Sequence, residues 1–104
     1  MGEHTHEMVF CIINSGFSET VMDAAKEAGA RGGTVMSGHG TANKEAEEKF
    51  GIPIQSDKEI LMIIVKKELK DDVLSAIYKV AGVDSPSRGI VFSLPVSATA
   101  GIKD

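Results

Sequence analysis

Ile60-Leu61-Met62-Ile63-Ile64-Val65, flanked by Asp57-Lys58-Glu59 and Lys66-Lys67-Glu68, is the strongest strand signal in the chain. An apolar run of this length, rich in β-branched residues and without polar alternation, reads as a strand covered on both faces. The expectation is a central strand over Lys58–Lys66. Met8-Val9-Phe10-Cys11-Ile12-Ile13 has the same character and ends in the turn residues Asn14-Ser15-Gly16.

Working outward, Gly33 to Ser37 reads as a second strand, and Ile90-Val91-Phe92-Ser93-Leu94 as a fourth, closed by Pro95. Two helices lie between these runs. Val21, Met22, Ala25 and Ala28 recur at helical spacing, with Ser18 expected as N-cap, Glu19 in the first turn and Gly29 as the stop. Leu69, Val73, Ile77 and Val80 mark one face of the other helix, with Asp71 and Asp72 near its start and Gly82 at its end. Strand, helix, strand, strand, helix, strand is the split βαβ order of an α+β, ferredoxin-like sandwich: an antiparallel sheet with two helices on one face. The other face stays apolar and uncovered, so the reading predicts an oligomer.

Composition sets the frame. A chain of 104 residues, 42% apolar and 25% charged, fits a single domain with one core, residues 1–104. The formal net charge of −4 argues against nucleic acid as a partner, because phosphate neutralisation needs clustered Lys and Arg. Cys11 is the sole cysteine, so no internal disulfide forms. No apolar run approaches the length of a membrane span and no signal peptide is evident, which makes a cytoplasmic protein the expectation. Residues 1–7, polar and carrying His4 and His6, read as a flexible arm. Two histidines without further ligands do not make a metal site, so no metal is expected.

The segment from Gly38 to Asp57 carries most of the loop chemistry. Gly38-His39-Gly40-Thr41 follows a strand directly, and glycines there let backbone N–H groups approach an anion; the same spacing also serves a plain turn. His39 reads either as a donor to phosphate or as an exposed hinge residue. Asn43 to Phe50 has helical composition, and Ile52-Pro53-Ile54 is expected to be extended. Ser87-Arg88-Gly89 forms part of a polar turn before the last strand, with Arg88 either solvated or clamping an anion. No catalytic grouping of nucleophile, base and acid emerges, so an enzyme is not expected.

Ala30-Arg31-Gly32-Gly33-Thr34-Val35, Lys44-Glu45-Ala46-Glu47 with Gly51-Ile52-Pro53-Ile54, the strand before Lys66, and Ser87-Arg88-Gly89-Ile90-Val91-Phe92 with Leu94-Pro95-Val96 together resemble the PII-like nitrogen regulatory proteins over nearly the whole chain. The resemblance implies a homotrimer that binds adenine nucleotide (ADP, AMP or ATP) between subunits and acts as a signal-transduction regulator. Residues 38–57 would be its T-loop, which grips a regulated transporter or enzyme. Carried over by position, it implies nucleotide contacts from Thr34, Gly38, His39, Gly40, Thr41, Ile64, Ser87, Arg88, Gly89 and Lys103, with Ile12, Met62 and Ile64 near the base.

The departures narrow this. The best-known members follow the hinge with Gly-Arg-Gln, whose Gln helps bind magnesium and 2-oxoglutarate; here Gly40 is followed by Thr41 and Ala42. In those members a lysine follows the glycine of the B-loop, the turn that Ser87-Arg88-Gly89 match, and two arginines lie near the C-terminus; the matching positions here are Ile90, Gly101 and Lys103, and fewer cations favour the less charged nucleotides. The sole tyrosine, Tyr78, falls on the second helix, so uridylylation of a loop tyrosine is not implied. The chain therefore resembles a divergent branch with a short T-loop. A CutA-like trimeric metal-binding or structural protein is the alternative reading.

Overall fold

The computed structural model describes residues 4–41, 57–82 and 84–102. Strand β1 (His6–Asn14) leads to helix α1 (Ser18–Glu27), strands β2 (Thr34–His39) and β3 (Asp57–Lys66), a 3-10 turn (Lys67–Leu69), helix α2 (Lys70–Ala81) and strand β4 (Ile90–Val96). The four strands form one antiparallel sheet in the order β2-β3-β1-β4. This is the expected ferredoxin-like sandwich, and the two strands with the strongest apolar runs are its inner pair. The expected helical turn at Asn43–Phe50 and the extended Ile52-Pro53-Ile54 lie outside the described residues, as does Lys103.

Successive side chains of a strand point to opposite faces, so each inner strand divides its apolar run between two layers. Val9, Cys11 and Ile13 of β1 and Leu61, Ile63 and Val65 of β3 are buried with Val21 and Ala25 of α1 and Val73, Ile77 and Ala81 of α2. The intervening residues face the other way. Phe10 and Phe92, directly opposite across β1 and β4, stack with ring centroids 5.3 Å apart. Met36, Phe92 and Leu94 are exposed on that face, and Ile90 keeps 63% of its surface accessible.

Helix α1 stops by the left-handed glycine device: Gly29 has φ +115°, its N–H donates to the Lys26 carbonyl at 3.0 Å, and the Ala30 N–H donates to the Ala25 carbonyl at 3.0 Å. Its beginning departs from expectation. Ser18 is the first helical residue rather than the cap, and Phe17 precedes the helix without a side-chain cap. The carboxylate of Glu59, from β3, does the tethering instead, accepting from the Gly16 N–H at 2.8 Å and from Ser18 Oγ at 3.4 Å. A tertiary contact has displaced the local one.

Three boundaries also move. The arm expected over residues 1–7 is cut short because β1 begins at His6, where His6 pairs with Lys66 and Val96, and Glu7 with Val65 and Pro95. Both are buried, and their polar atoms are met locally: Thr5 Oγ1 lies 2.8 Å from His6 Nδ1, and the Glu7 carboxylate pairs with the His4 ring. Strand β2 runs on to His39, two residues past Ser37, because Gly38 and His39 still find partners in Lys58 and Asp57. Strand β4 continues through Pro95 to Val96, which an edge strand permits.

Burial pushes the Cys11 thiol up to about 11 from its ordinary value of 9.0. A thiol held neutral by the fold ionises first in the unfolded chain, so its stabilising contribution is intact below pH 9 and is lost as pH rises toward 11. Cys11 is therefore expected to resist thiol reagents at pH 8 until denaturant is added, and a Cys11→Ala variant should lose less of its denaturation midpoint than the parent between pH 9 and 11. An equal loss in the two proteins would contradict this account.

Candidate functional site

Of the ten residues implicated by the sequence, the nine that the structure describes fall into separate places. Gly38 and His39 close β2, with Gly40 and Thr41 directly after them; His39 and Thr41 are exposed. Ser87, Arg88 and Gly89 lie before β4, and register places Ile90 opposite Ile12 near the end of β1. The two groups share one end of the sheet. They do not meet within a chain, because β2 and β4 are its opposite edges and three strand spacings, about 14 Å, separate them.

Thr34 and Ile64 belong to the opposite end. There the Gly29–Thr34 connection, the start of β1, the end of β3 and Ile102 enclose a cavity of about 590 Å³. Met8, Met62, Ile64 and Leu69 give it an apolar lining, while Arg31 and Lys66 supply cationic groups and His6 an imidazole. No carboxylate lines it among the described residues. A cavity of this kind suits a ligand with a flat or apolar body and an anionic substituent. Roughly 25 Å of strand separates it from the hinge end, from the rise of β3 between Lys58 and Lys66.

The Gly29–Thr34 connection is held close to the sheet. A Cβ on Gly33 would sit 2.8 Å from both Ile63 Cγ1 and the Met62 carbonyl oxygen, so only glycine lets this wall approach. Gly89 is constrained in the same way: its N–H donates to the Ala81 carbonyl at 2.5 Å, and a Cβ would lie 2.4 Å from that oxygen. Packing against the end of α2 thus explains this glycine without a ligand. Gly38 differs, since it lies in β2 and the one tight contact a Cβ would make is with the tip of the Ile60 side chain, at 3.1 Å, its other neighbours being at ordinary distance.

Turn 84–89 is tightly wired. The Ser85 N–H and Oγ both donate to the Gly82 carbonyl, at 2.9 and 2.7 Å, and the Arg88 N–H donates to the Ser85 carbonyl at 3.1 Å. Ser87 is buried and its carbonyl accepts from the Asn14 N–H at 2.9 Å. Arg88 is exposed and adopts φ +47°, the only non-glycine residue with positive φ among those described. A left-handed conformation costs an ordinary residue about 1–2 kcal/mol, and such outliers concentrate at functional sites.

Residues 6–104 match the family model described as Nitrogen regulatory protein P-II. The chain belongs to that family. Among solved structures, Arabidopsis thaliana PII bound to citrate superposes on this P-II chain with a TM-score of 0.67 at 25% identity, covering 91% of it and 78% of the plant chain. A functionally unknown protein from Pediococcus pentosaceus gives a TM-score of 0.67 at 19% identity, a likeness of fold, and covers 95% of this chain and 99% of its own. No curated protein sequence matches.

Sequence reasoning missed Arg31, Lys66 and His6 as cavity residues. Arg31 stood within the run that carried the family resemblance, and Lys66 directly after the central strand, but nothing in their spacing signals that the two approach one space. Among the described residues no group of three or more His, Cys, Asp or Glu is arranged to hold a metal, and no helix is long and apolar enough to cross a membrane.

The glycines separate by a simple stability measurement. Gly38→Ala is expected to shift the folding free energy by less than about 1 kcal/mol, whereas Gly89→Ala, forced against the α2 carbonyl, should cost about 2 kcal/mol or more in urea titration. Equal effects would show that the turn before β4 is looser than described.

Proposed function

We propose that this P-II chain is a signal-transduction regulator that binds an adenine nucleotide between neighbouring subunits of a homotrimer. Its segment 38–57 acts as the T-loop through which a transporter or enzyme is controlled. One observation supports the reading: the implicated residues that the structure describes lie at opposite ends of the sheet and, at the hinge end, on its opposite edges. The cavity beside Thr34 and Ile64 offers an apolar shelf with cations at hand, and the other end offers the hinge and Arg88. A neighbouring copy that set its Arg88 turn against this chain's hinge would bring together what one chain holds apart.

Two features support it. The apolar sheet face opposite the helices needs a cover, which identical copies provide. Arg88 keeps a long cationic side chain where glycine would be more comfortable, as expected if the guanidinium holds a phosphate.

Arg88→Gly tests the assignment with two opposed readouts. Nucleotide affinity by calorimetry with ADP, AMP and ATP should fall about tenfold, the value of a charge-assisted hydrogen bond, while thermal stability stays level or rises as the left-handed strain is relieved. Unchanged affinity would remove Arg88 from the site. A monomer mass in light scattering at micromolar concentration would sink the intersubunit reading altogether.

A further inference from the structure

Asn14 ends β1, and 8% of its surface is accessible. Its side chain accepts from Lys58 Nζ at 2.6 Å through Oδ1 and donates from Nδ2 to the Pro86 carbonyl at 3.1 Å, while its backbone N–H donates to the Ser87 carbonyl at 2.9 Å. The next residue extends the set, since the Ser15 N–H donates to the Asp57 carbonyl at 3.1 Å. Only one orientation of the amide serves both side-chain partners. Reversed, it would face an ammonium with its NH₂ and a carbonyl with its oxygen.

The partners belong to two segments that the sheet keeps apart. Asp57 and Lys58 open β3 directly after segment 42–56, and Pro86 and Ser87 sit beside Arg88 in the turn before β4. Strands β3 and β4 do not pair with each other, because β1 lies between them. At this end β1 pairs with β4 only as far as Ile12, and Asn14 ties the turn to β1 where the ladder has stopped. The geometry points to Asn14 as a positioning residue that couples the turn carrying Arg88 to the exit of the T-loop segment, so that a change at either is felt at the other. No ligand is needed for the coupling; its use as a relay rests on the nucleotide reading above.

The amide is suited to this because it donates and accepts at once. Asn14→Asp keeps an acceptor for Lys58 but turns a second acceptor on the Pro86 carbonyl, breaking the side-chain tie to the turn while the backbone bond to Ser87 stays and the β3 side is spared. Lys58→Met removes the other partner from a half-buried position where loss of fold is not expected.

Amide hydrogen exchange of the full chain, followed by NMR at the Arg88 and Ser15 N–H groups, reads both sides without ligand. Lys58→Met should speed exchange at Arg88 about fivefold when Asn14 is present and have little effect when Asn14→Asp has already broken the side-chain tie to the turn. An Arg88 rate unchanged by Lys58→Met beside native Asn14 would overturn the coupling. With ADP added, protection should spread from Arg88 to Ser15 in the native protein and fail to spread in Asn14→Asp; spread in both would overturn the relay. If the native protein binds no ADP, the nucleotide reading falls and the ligand-free exchange alone decides.

Discussion

The structure depends on β1 being paired on both sides. It joins β3 from His6 to Asn14 and β4 from His6 to Ile12, so every other element is placed by what this strand holds. Its odd residues, Val9, Cys11 and Ile13, anchor the layer shared with the helices, and its even residues, Met8, Phe10 and Ile12, make the centre of the opposite face. Burying a large aliphatic side chain contributes about 1.5–3 kcal/mol, so the core face alone outweighs any single polar contact described above. The second face follows automatically: pairing that puts Ile63 inside puts Met62 and Ile64 outside, and no shift of register repairs that without exposing the core.

How much of this was legible follows from the range of each interaction. Strand and helix identities came through because they rest on apolar patterning, and the fold class came with their order. The errors sit where a distant partner decided a local question. Ser18 has the composition of a cap, but Glu59, forty-one residues away in the chain, reaches Ser18 and the preceding turn. His6 and Glu7 look like an arm until Lys66 and Val96 continue the ladder beside them. Gly38 looks like a hinge because glycine is rare inside strands, yet Lys58 still pairs with it.

The site was legible as a set of residues and illegible as an arrangement. Ile64 and Arg88 both stood out, one as part of an apolar run and one as a lone cation in a turn, but their placement at opposite ends of the sheet is a property of strand direction. Ser87-Arg88-Gly89 shows the same mixture. Gly89 has a packing reason, the α2 carbonyl against it, while Arg88 has none in its backbone, which is strained. Asn14 drew attention only as a turn residue, since an amide joining two separate segments has no periodic signature.

The cationic rim of the cavity stands against the sign of the whole molecule. Arg31 and Lys66 border a space that no carboxylate lines among the described residues, whereas the chain as a whole carries a formal charge of −4. At low ionic strength, where the Debye length is tens of ångströms, a distant anion therefore meets the repulsion of the net charge and is attracted only close to the two cations. Added salt screens the long-range repulsion before it weakens the close contacts. Ionic strength should thus raise the rate at which anions arrive while lowering the strength with which they are held, two responses of opposite sign set by one arrangement of charge.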